Sequence, residues 1–250
     1  MNTREILPTL ERGDPLYNSN QGPWDVNIGK LRFSAQNQQL PQQGHQTDVL
    51  IDETASSIWA ASWSFATYVL STGAGKIIRG QSVVELGSGT GLGGLAAAAA
   101  GANSVELTDL FSNLYLLEKA VLENQSALPK DTRVGVSALQ WGTMGDVGMG
   151  NADASDGVGS RSYDVVLAVD CVYCPTLHSL LAATAVRVCK PGGKVLLVDE
   201  VRWKDTLTWW EETAQCHGLR LRSTTELPSH PRVPRRVVLR EYDVPHGAAL

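Results

Sequence analysis

Long apolar runs are missing from this chain. None of its 250 residues lies in a stretch of the roughly 20 apolar residues that a membrane-spanning helix requires. The nearest approach, Gly93–Ala102, is mostly alanine and reads as a packed helix. Met1–Leu10 carries Arg4 and Glu5 and lacks the apolar core of a secretory signal. Cysteine is scarce too. Without a secretory signal, Cys171, Cys174, Cys189 and Cys216 are expected to be reduced thiols, which points to the cytosol, with the nucleus as a further compartment. An excess of basic charge is also absent. The formal net charge is −5, so no global positive field draws in nucleic acid, and a mildly acidic surface does not repel a cationic substrate. Neither a membrane nor a nucleic acid is an expected partner. Cys171 and Cys174 form one CxxC pair with His178 four residues on, but a structural zinc site needs four ligands and no fourth is evident, so no metal is expected. The thiols read as small, partly buried side chains.

What is present divides into two regions. Residues 1–50 are polar and irregular. Gln36–Gln46 holds six glutamines and a proline, and only Val26–Ile28 and Leu31–Phe33 offer a small hairpin, around Asn27–Lys30. Residues 51–250 read as one domain. Ile58, Ala61, Phe65, Tyr68 and Val69 fall on a helical stripe within Thr54–Leu70. Strands then alternate with helices: strands at Ser82–Leu86, Ser104–Thr108, Arg133–Leu139, Tyr163–Val169 and Lys194–Asp199, helices at Leu92–Ala100, Leu110–Gln125, Thr176–Val188 and Lys204–Cys216. Pro191-Gly192-Gly193 is read as the stop of the Thr176–Val188 helix. Such alternation predicts a doubly wound α/β fold, with a mostly parallel sheet covered on both faces. The last two strands, Leu219–Ser223 and Val237–Tyr242, have no helix between them and are expected to pair antiparallel at the sheet's end. Gly142–Ser162, with six glycines, reads as a long flexible loop.

The chemistry centres on Val83-Val84-Glu85-Leu86-Gly87-Ser88-Gly89-Thr90-Gly91, which runs from a strand into a helix. Glycines allow a sharp turn and close ligand approach, and in doubly wound sheets ligands bind beyond the carboxyl ends of the strands. Gly89, Gly91 and Gly94 also satisfy the GxGxxG fingerprint of dinucleotide binding, and Asp109, at the end of the next strand, suits ribose hydroxyls in either reading. Glu85 favours a sulfonium cofactor. A carboxylate there suits the cationic amino group of a methionine moiety and is badly placed beside a pyrophosphate. Trp141 ends the third strand, where an indole can cover an adenine face or simply pack in the core. Asp109 can also cap a helix starting at Leu110.

Glu85-Leu86-Gly87-Ser88-Gly89-Thr90-Gly91-Leu92 resembles motif I of the seven-β-strand methyltransferases, and Ala100-Gly101-Ala102 followed by Thr108-Asp109 is similar to their second-strand region. Leu139-Gln140-Trp141-Gly142, Asp170-Cys171-Val172-Tyr173 and Ile58-Trp59-Ala60-Ala61 resemble the Leu-x-Trp-Gly, Asp-x-x-Tyr and upstream Trp segments of the protein-lysine methyltransferases grouped as methyltransferase-like family 21. The resemblance implies a seven-stranded, Rossmann-like methyltransferase sheet, mostly parallel with an antiparallel C-terminal strand. It implies S-adenosylmethionine as cofactor, held by Trp59, Gly87, Ser88, Gly89, Asp109 and Trp141, with Val169 lining the site where relatives often have a smaller residue. It further implies methylation of a lysine side chain on a protein substrate. Departures are the missing glycine upstream of Trp59, the long Gly142–Ser162 loop and the polar N-terminal segment.

Methyl transfer from a sulfonium is an in-line displacement of an activated electrophile, so the protein must mainly align a neutral amine and shed its water. Asp170 and Tyr173 are the candidate catalytic pair: Tyr173 as an aromatic wall for the lysine, Asp170 as a holder of the amine or of the cofactor's methionine end, both against the plainer reading of a turn. The alternatives are a methyltransferase acting on a small molecule or another residue type, an NAD-dependent oxidoreductase, and a binding module without catalysis, since fold does not fix function. The C-terminal arginines, Arg220, Arg222, Arg232, Arg235, Arg236 and Arg240, read as a solvated face, with contact to an acidic protein partner or RNA as alternatives between which the sequence does not choose. Trp203, Trp209 and Trp210 read as helix packing.

Overall fold

The computed structural model describes residues 24–35, 55–71, 74–142, 163–202, 206–230 and 234–246. Most of the Gly142–Ser162 loop, the glutamine-rich stretch, Trp203, Arg232 and the division at 50/51 lie outside the described residues.

The sheet follows from the alternation of short β-branched runs with helices. Its strands are β3 (Ser82–Leu86), β4 (Ser104–Asp109), β5 (Arg133–Ala138), β6 (Tyr163–Val169), β7 (Cys189–Glu200), β8 (Arg220–Glu226) and β9 (Val237–Asp243). They stand in the order β5-β4-β3-β6-β7-β9-β8. The first five run parallel, and β9 alone runs against its neighbours β7 and β8. This is the doubly wound, seven-stranded sheet with an antiparallel C-terminal strand. The order reverses at β3, whose two neighbours are β4 and β6, so the crevice beyond its carboxyl end is the topological switch point where such sheets bind ligands.

Period-two alternation along each central strand fills two cores. Val83, Val105, Val165, Leu167, Leu196 and Val198 face α1 (Ala60–Ser71), α2 (Leu92–Ala99) and α3 (Leu114–Asn124). Val84, Leu86, Val166, Ala168, Val195 and Leu197 face α4 (His178–Val188) and α5 (Thr206–Cys216). The short hairpin β1 (Trp24–Ile28) and β2 (Leu31–Ala35) turns at Gly29-Lys30. It is tied to the domain: Ile28, Leu31 and Phe33 enter the first core, and Arg32 exchanges backbone hydrogen bonds with the Asn124 amide at 2.7 and 2.9 Å.

Two boundaries and one burial depart from the sequence reading. The α4 helix ends at Val188, and Pro191-Gly192-Gly193 lies inside β7 at a register shift against Tyr163 rather than acting as the stop. A 3₁₀ turn, Phe111–Asn113, precedes α3, so the helix starts at Leu114 and not Leu110. Trp210 is fully buried as read, whereas Trp209 is about half exposed.

Candidate functional site at the carboxyl ends of β3, β4 and β6

The β3 strand stops at Leu86 because the chain turns upward through two residues only glycine fits comfortably. Gly87 and Gly89 hold φ of 68° and 53°, in the left-handed region. A methyl group on Gly87 would sit 2.9 Å from Cζ2 of Trp141, so the indole lies across the start of the loop, and one on Gly89 would sit 3.1 Å from the carbonyl oxygen of Ala55. The segment leading into α1 therefore rests on the glycine loop as a cover. The loop is stitched to β4: the Ser88 N–H donates to the Thr108 carbonyl at 2.9 Å, and the Thr108 N–H donates to Ser88 Oγ at 3.0 Å. Asp109 completes the stitch. Its Oδ2 accepts the Gly89 N–H at 2.8 Å, while Oδ1 accepts the Leu110 N–H and the Asn113 amide, each at 2.8 Å. Asp109 thus orders the turn after β4 as well as the glycine loop. With three of about four lone-pair directions used, it retains acceptor capacity.

Glu85 lies below this surface. Its side chain points toward α2, where Oε2 accepts the Gly94 N–H at 2.9 Å, and it is 1% exposed. A methyl on Gly93 would collide with Oε1 at 2.2 Å, which is why the first turn of α2 carries glycines. Burial pushes the carboxyl up to about 8; the Gly94 and Ser88 hydrogen bonds act against that shift and the Asp109 charge adds to it. Val169 is placed in the same layer, its Cγ2 3.1 Å from the position of a Gly93 methyl.

Beyond β6 the chain enters Asp170-Cys171-Val172-Tyr173. Asp170 has φ of 59°, the only non-glycine residue in the left-handed region among the described residues. Its carboxylate is 4% exposed and forms a bidentate pair with Arg202, Nη1 to Oδ1 and Nη2 to Oδ2, both at 2.6 Å. Arg202 also lies 3.4 Å from Glu200 and 5.6 Å from the centroid of the Trp59 ring. Burial works against the guanidinium's charge, but the charge and hydrogen bonds of Asp170, with Glu200 and Asp199, raise its pKa further. The buried Cys171 thiol donates to the Leu86 carbonyl at 3.2 Å, tying the segment to β3, and burial with four nearby carboxylates keeps it protonated. The Val172 peptide is gripped at both ends, its N–H by Asp199 Oδ1 at 3.3 Å and its carbonyl by the His178 ring at 3.0 Å. Burial lifts Asp199 to about 8, with the Asp170 charge adding to the rise. Burial also lowers His178, so near neutral pH a neutral ring donates to Val172. Tyr173 projects outward, 39% exposed.

The structure therefore brings Trp59, Gly87, Ser88, Gly89, Asp109, Trp141 and Asp170 to one sheet edge, sets Glu85 and Val169 in the layer beneath, and leaves Tyr173 on the rim. Arg202 and Asp199 were missed by sequence reasoning. The available signal was their position: both follow or end a parallel strand at its carboxyl end, where this fold places its ligands.

A switch-point glycine loop with an acid on the next strand defines a Rossmann-like α/β domain with a nucleotide-type cofactor site. The model of the family described as lysine methyltransferase matches residues 43–215, and the chain belongs to that family. It is 34% identical over 148 residues to the mouse protein named EEF1A lysine methyltransferase 3, covering 59% of this chain and 56% of that one. It is 31% identical over 190 residues to the zebrafish protein N-lysine methyltransferase METTL21A, covering 73% and 80%. The chain thus aligns with only a little over half of the mouse relative's length. Among solved structures, a candidate SAM-dependent methyltransferase from Streptococcus mutans superposes with TM-score 0.51 at 12% identity, over 89% of this chain and 55% of that one, a likeness of fold. The cofactor of the family is S-adenosylmethionine. The donor set fits it: the left-handed Gly87–Gly91 turn lies at the switch point with Trp141 and Ala55 packed closely on it, and Asp109 sits beside it with acceptor capacity.

Proposed function

We propose that the chain transfers a methyl group from S-adenosylmethionine to the ε-amine of a lysine in a protein substrate, in the cytosol or nucleus. In this reading the Gly87–Gly89 turn would receive the methionine end, Asp109 would take the ribose hydroxyls, and Trp141 and Trp59 would contact the cofactor. The bound cofactor supplies an activated methyl on a sulfonium. The observation that carries the reading is the Asp170–Tyr173 segment, held rigidly at the switch point with Tyr173 turned outward on the rim. A substrate lysine passing Tyr173 meets an aromatic wall that strips water from the ammonium and favours its neutral, nucleophilic form.

The Asp170 carboxylate is already shared between two guanidinium hydrogen bonds. In this reading it holds the site's shape, and the proton leaves the lysine to water. A free lysine titrates near 10.4, so turnover per folded molecule is expected to rise over roughly pH 7 to 9. The test incubates the protein with radiolabelled cofactor and cell lysate and locates the label by mass spectrometry. Label on lysine, abolished by Lys→Arg in the target, supports the reading. Label in a metabolite or on another residue type refutes the lysine assignment and leaves a methyltransferase.

A further inference from the structure

Trp59, Asp170, Glu200 and Arg202 come from three separate parts of the chain and meet at one guanidinium. Arg202 follows β7, makes a two-pronged bond to Asp170 after β6 and stands over the ring of Trp59 in the segment that enters α1. That same segment rests on the glycine loop through Ala55. The cover over the cofactor cradle is thus pinned at two points, Ala55 on Gly89 and Trp59 on Arg202. Asp170 holds a left-handed backbone that non-glycine residues adopt only at a cost. Such a conformation persists where surrounding contacts over-determine it, and here they do: the Asp170 N–H donates to the Val198 carbonyl at 2.7 Å while both carboxylate oxygens are taken by Arg202. A planar guanidinium is suited to this post because it can bind a carboxylate with two parallel hydrogen bonds while its flat face meets an aromatic ring, a fork an ammonium does not have.

We propose that Arg202 is a positioning residue for the cofactor: through Asp170 and Trp59 it latches the 55–59 segment across the carboxyl ends of β3 and β6, and so sets cofactor affinity. The inference rests on the S-adenosylmethionine reading of the cradle. It differs from a purely structural ion pair in one respect. A structural pair changes the melting temperature and leaves the affinity of the folded protein alone, whereas a latch changes that affinity, and does so only while Asp170 is present to be held.

The experiment measures S-adenosylhomocysteine binding by calorimetry, at a temperature where each variant is shown to be folded. The full chain is compared with Arg202→Lys, Arg202→Met, Asp170→Asn and the Asp170→Asn/Arg202→Met double variant. Arg236→Ala, which removes an exposed pair with Glu226, is the control expected to bind normally. Arg202→Met is expected to weaken binding tenfold or more, equivalent to about 1.4 kcal/mol. Arg202→Lys, which keeps charge and one hydrogen bond, is expected to fall between and to remain measurable if the methionine variant does not fold. In the Asp170→Asn background the Arg202→Met step should cost threefold at most, by the logic of a double-mutant cycle. Wild-type affinity in both single Arg202 variants overturns the latch alone. An equal loss with and without Asp170 also overturns it, because Arg202 would then act independently of Asp170. Failure of the wild-type protein to bind S-adenosylhomocysteine overturns the cofactor reading and the latch with it, and that arm is read first.

Discussion

Replacing Glu85 with glutamine is expected to make the folded protein more stable at mildly alkaline pH, even though Glu85 belongs to the glycine-loop motif. The carboxyl is 1% exposed and held near 8 by burial, against an ordinary value of 4.5. In the unfolded chain it ionises above about pH 4.5, while in the native state it keeps its proton to about pH 8. Across that window the native state binds more protons, so its stability is greatest below the unfolded value and drains away as pH rises toward the folded one. The loss is about 1.4 kcal/mol per pH unit, or about 2 kcal/mol between roughly pH 6 and pH 7.5. Glutamine has the shape of the protonated acid, can still accept the Gly94 N–H, and has no proton to lose. The variant should therefore gain about 2 kcal/mol on the wild type over that interval. Urea denaturation of both proteins without cofactor, at the two pH values and with matching m-values, measures it. Other titrating groups cancel in the comparison. Parallel pH dependence of wild type and variant would refute the reasoning: Glu85 would then be ionised throughout, balanced by the positive end of α2.

Asp199, also pushed to about 8 by burial, predicts the same sign, so Asp199→Asn should flatten the pH dependence of stability by a similar slope in the same urea series. Asp109→Ala removes the acceptor of three hydrogen bonds and is expected to weaken S-adenosylhomocysteine binding by about 1–3 kcal/mol in calorimetry. Gly93→Ala, whose new methyl would meet Glu85 Oε1 at 2.2 Å, is expected to cost about 1–3 kcal/mol in a denaturant titration. Tyr173→Ala, at an exposed position, should leave stability within about 0.5 kcal/mol and lower turnover on the labelled substrate; normal turnover would remove Tyr173 from the site.

The central strands were the most legible part of the fold. Ser82–Leu86 and Tyr163–Val169 are read to the residue, because strands buried on both faces are short apolar runs closed by glycine or a charge. The edge strand β8 runs Arg220–Glu226 where the sequence reads Leu219–Ser223, one residue off at the start and three at the end. Most of its residues are exposed, and an edge strand without a buried face has no alternation to announce it. The start of β7 was hidden by Pro191-Gly192-Gly193, which breaks the apolar pattern while the backbone continues in extended form. In the site, the glycine loop and Asp109 were legible because they sit within one βαβ unit, where spacing along the chain decides contact. Arg202 was not, because Asp170 and Trp59 meet it only through the sheet order, which places the end of β7 beside the end of β6 and under the segment before α1.

That long-range arrangement bears on how Asp170 should be understood. In sequence, an acid followed three residues later by a tyrosine invites the role of general base or amine anchor. In the structure, removing the carboxylate leaves the buried guanidinium with only its 3.4 Å ion pair to Glu200 among the described residues, and breaking a buried pair from one side typically costs about 3–5 kcal/mol. Asp170→Ala would thus lower activity through stability whatever its chemical role, and a loss of turnover in that variant alone says little about catalysis. Asp170→Asn preserves the shape and one acceptor oxygen, so the comparison of the two separates the roles. Activity per folded molecule that survives in the asparagine variant would place Asp170 with Arg202 in the frame around the cofactor. Activity lost while S-adenosylhomocysteine affinity is kept would return Asp170 to the amine. The two buried acids on either side of this edge, Glu85 and Asp199, add a constraint on how such measurements are read. The rise in neutral lysine with pH and the loss of native stability with pH oppose one another over the same interval, so only rates normalised to folded protein report the chemistry.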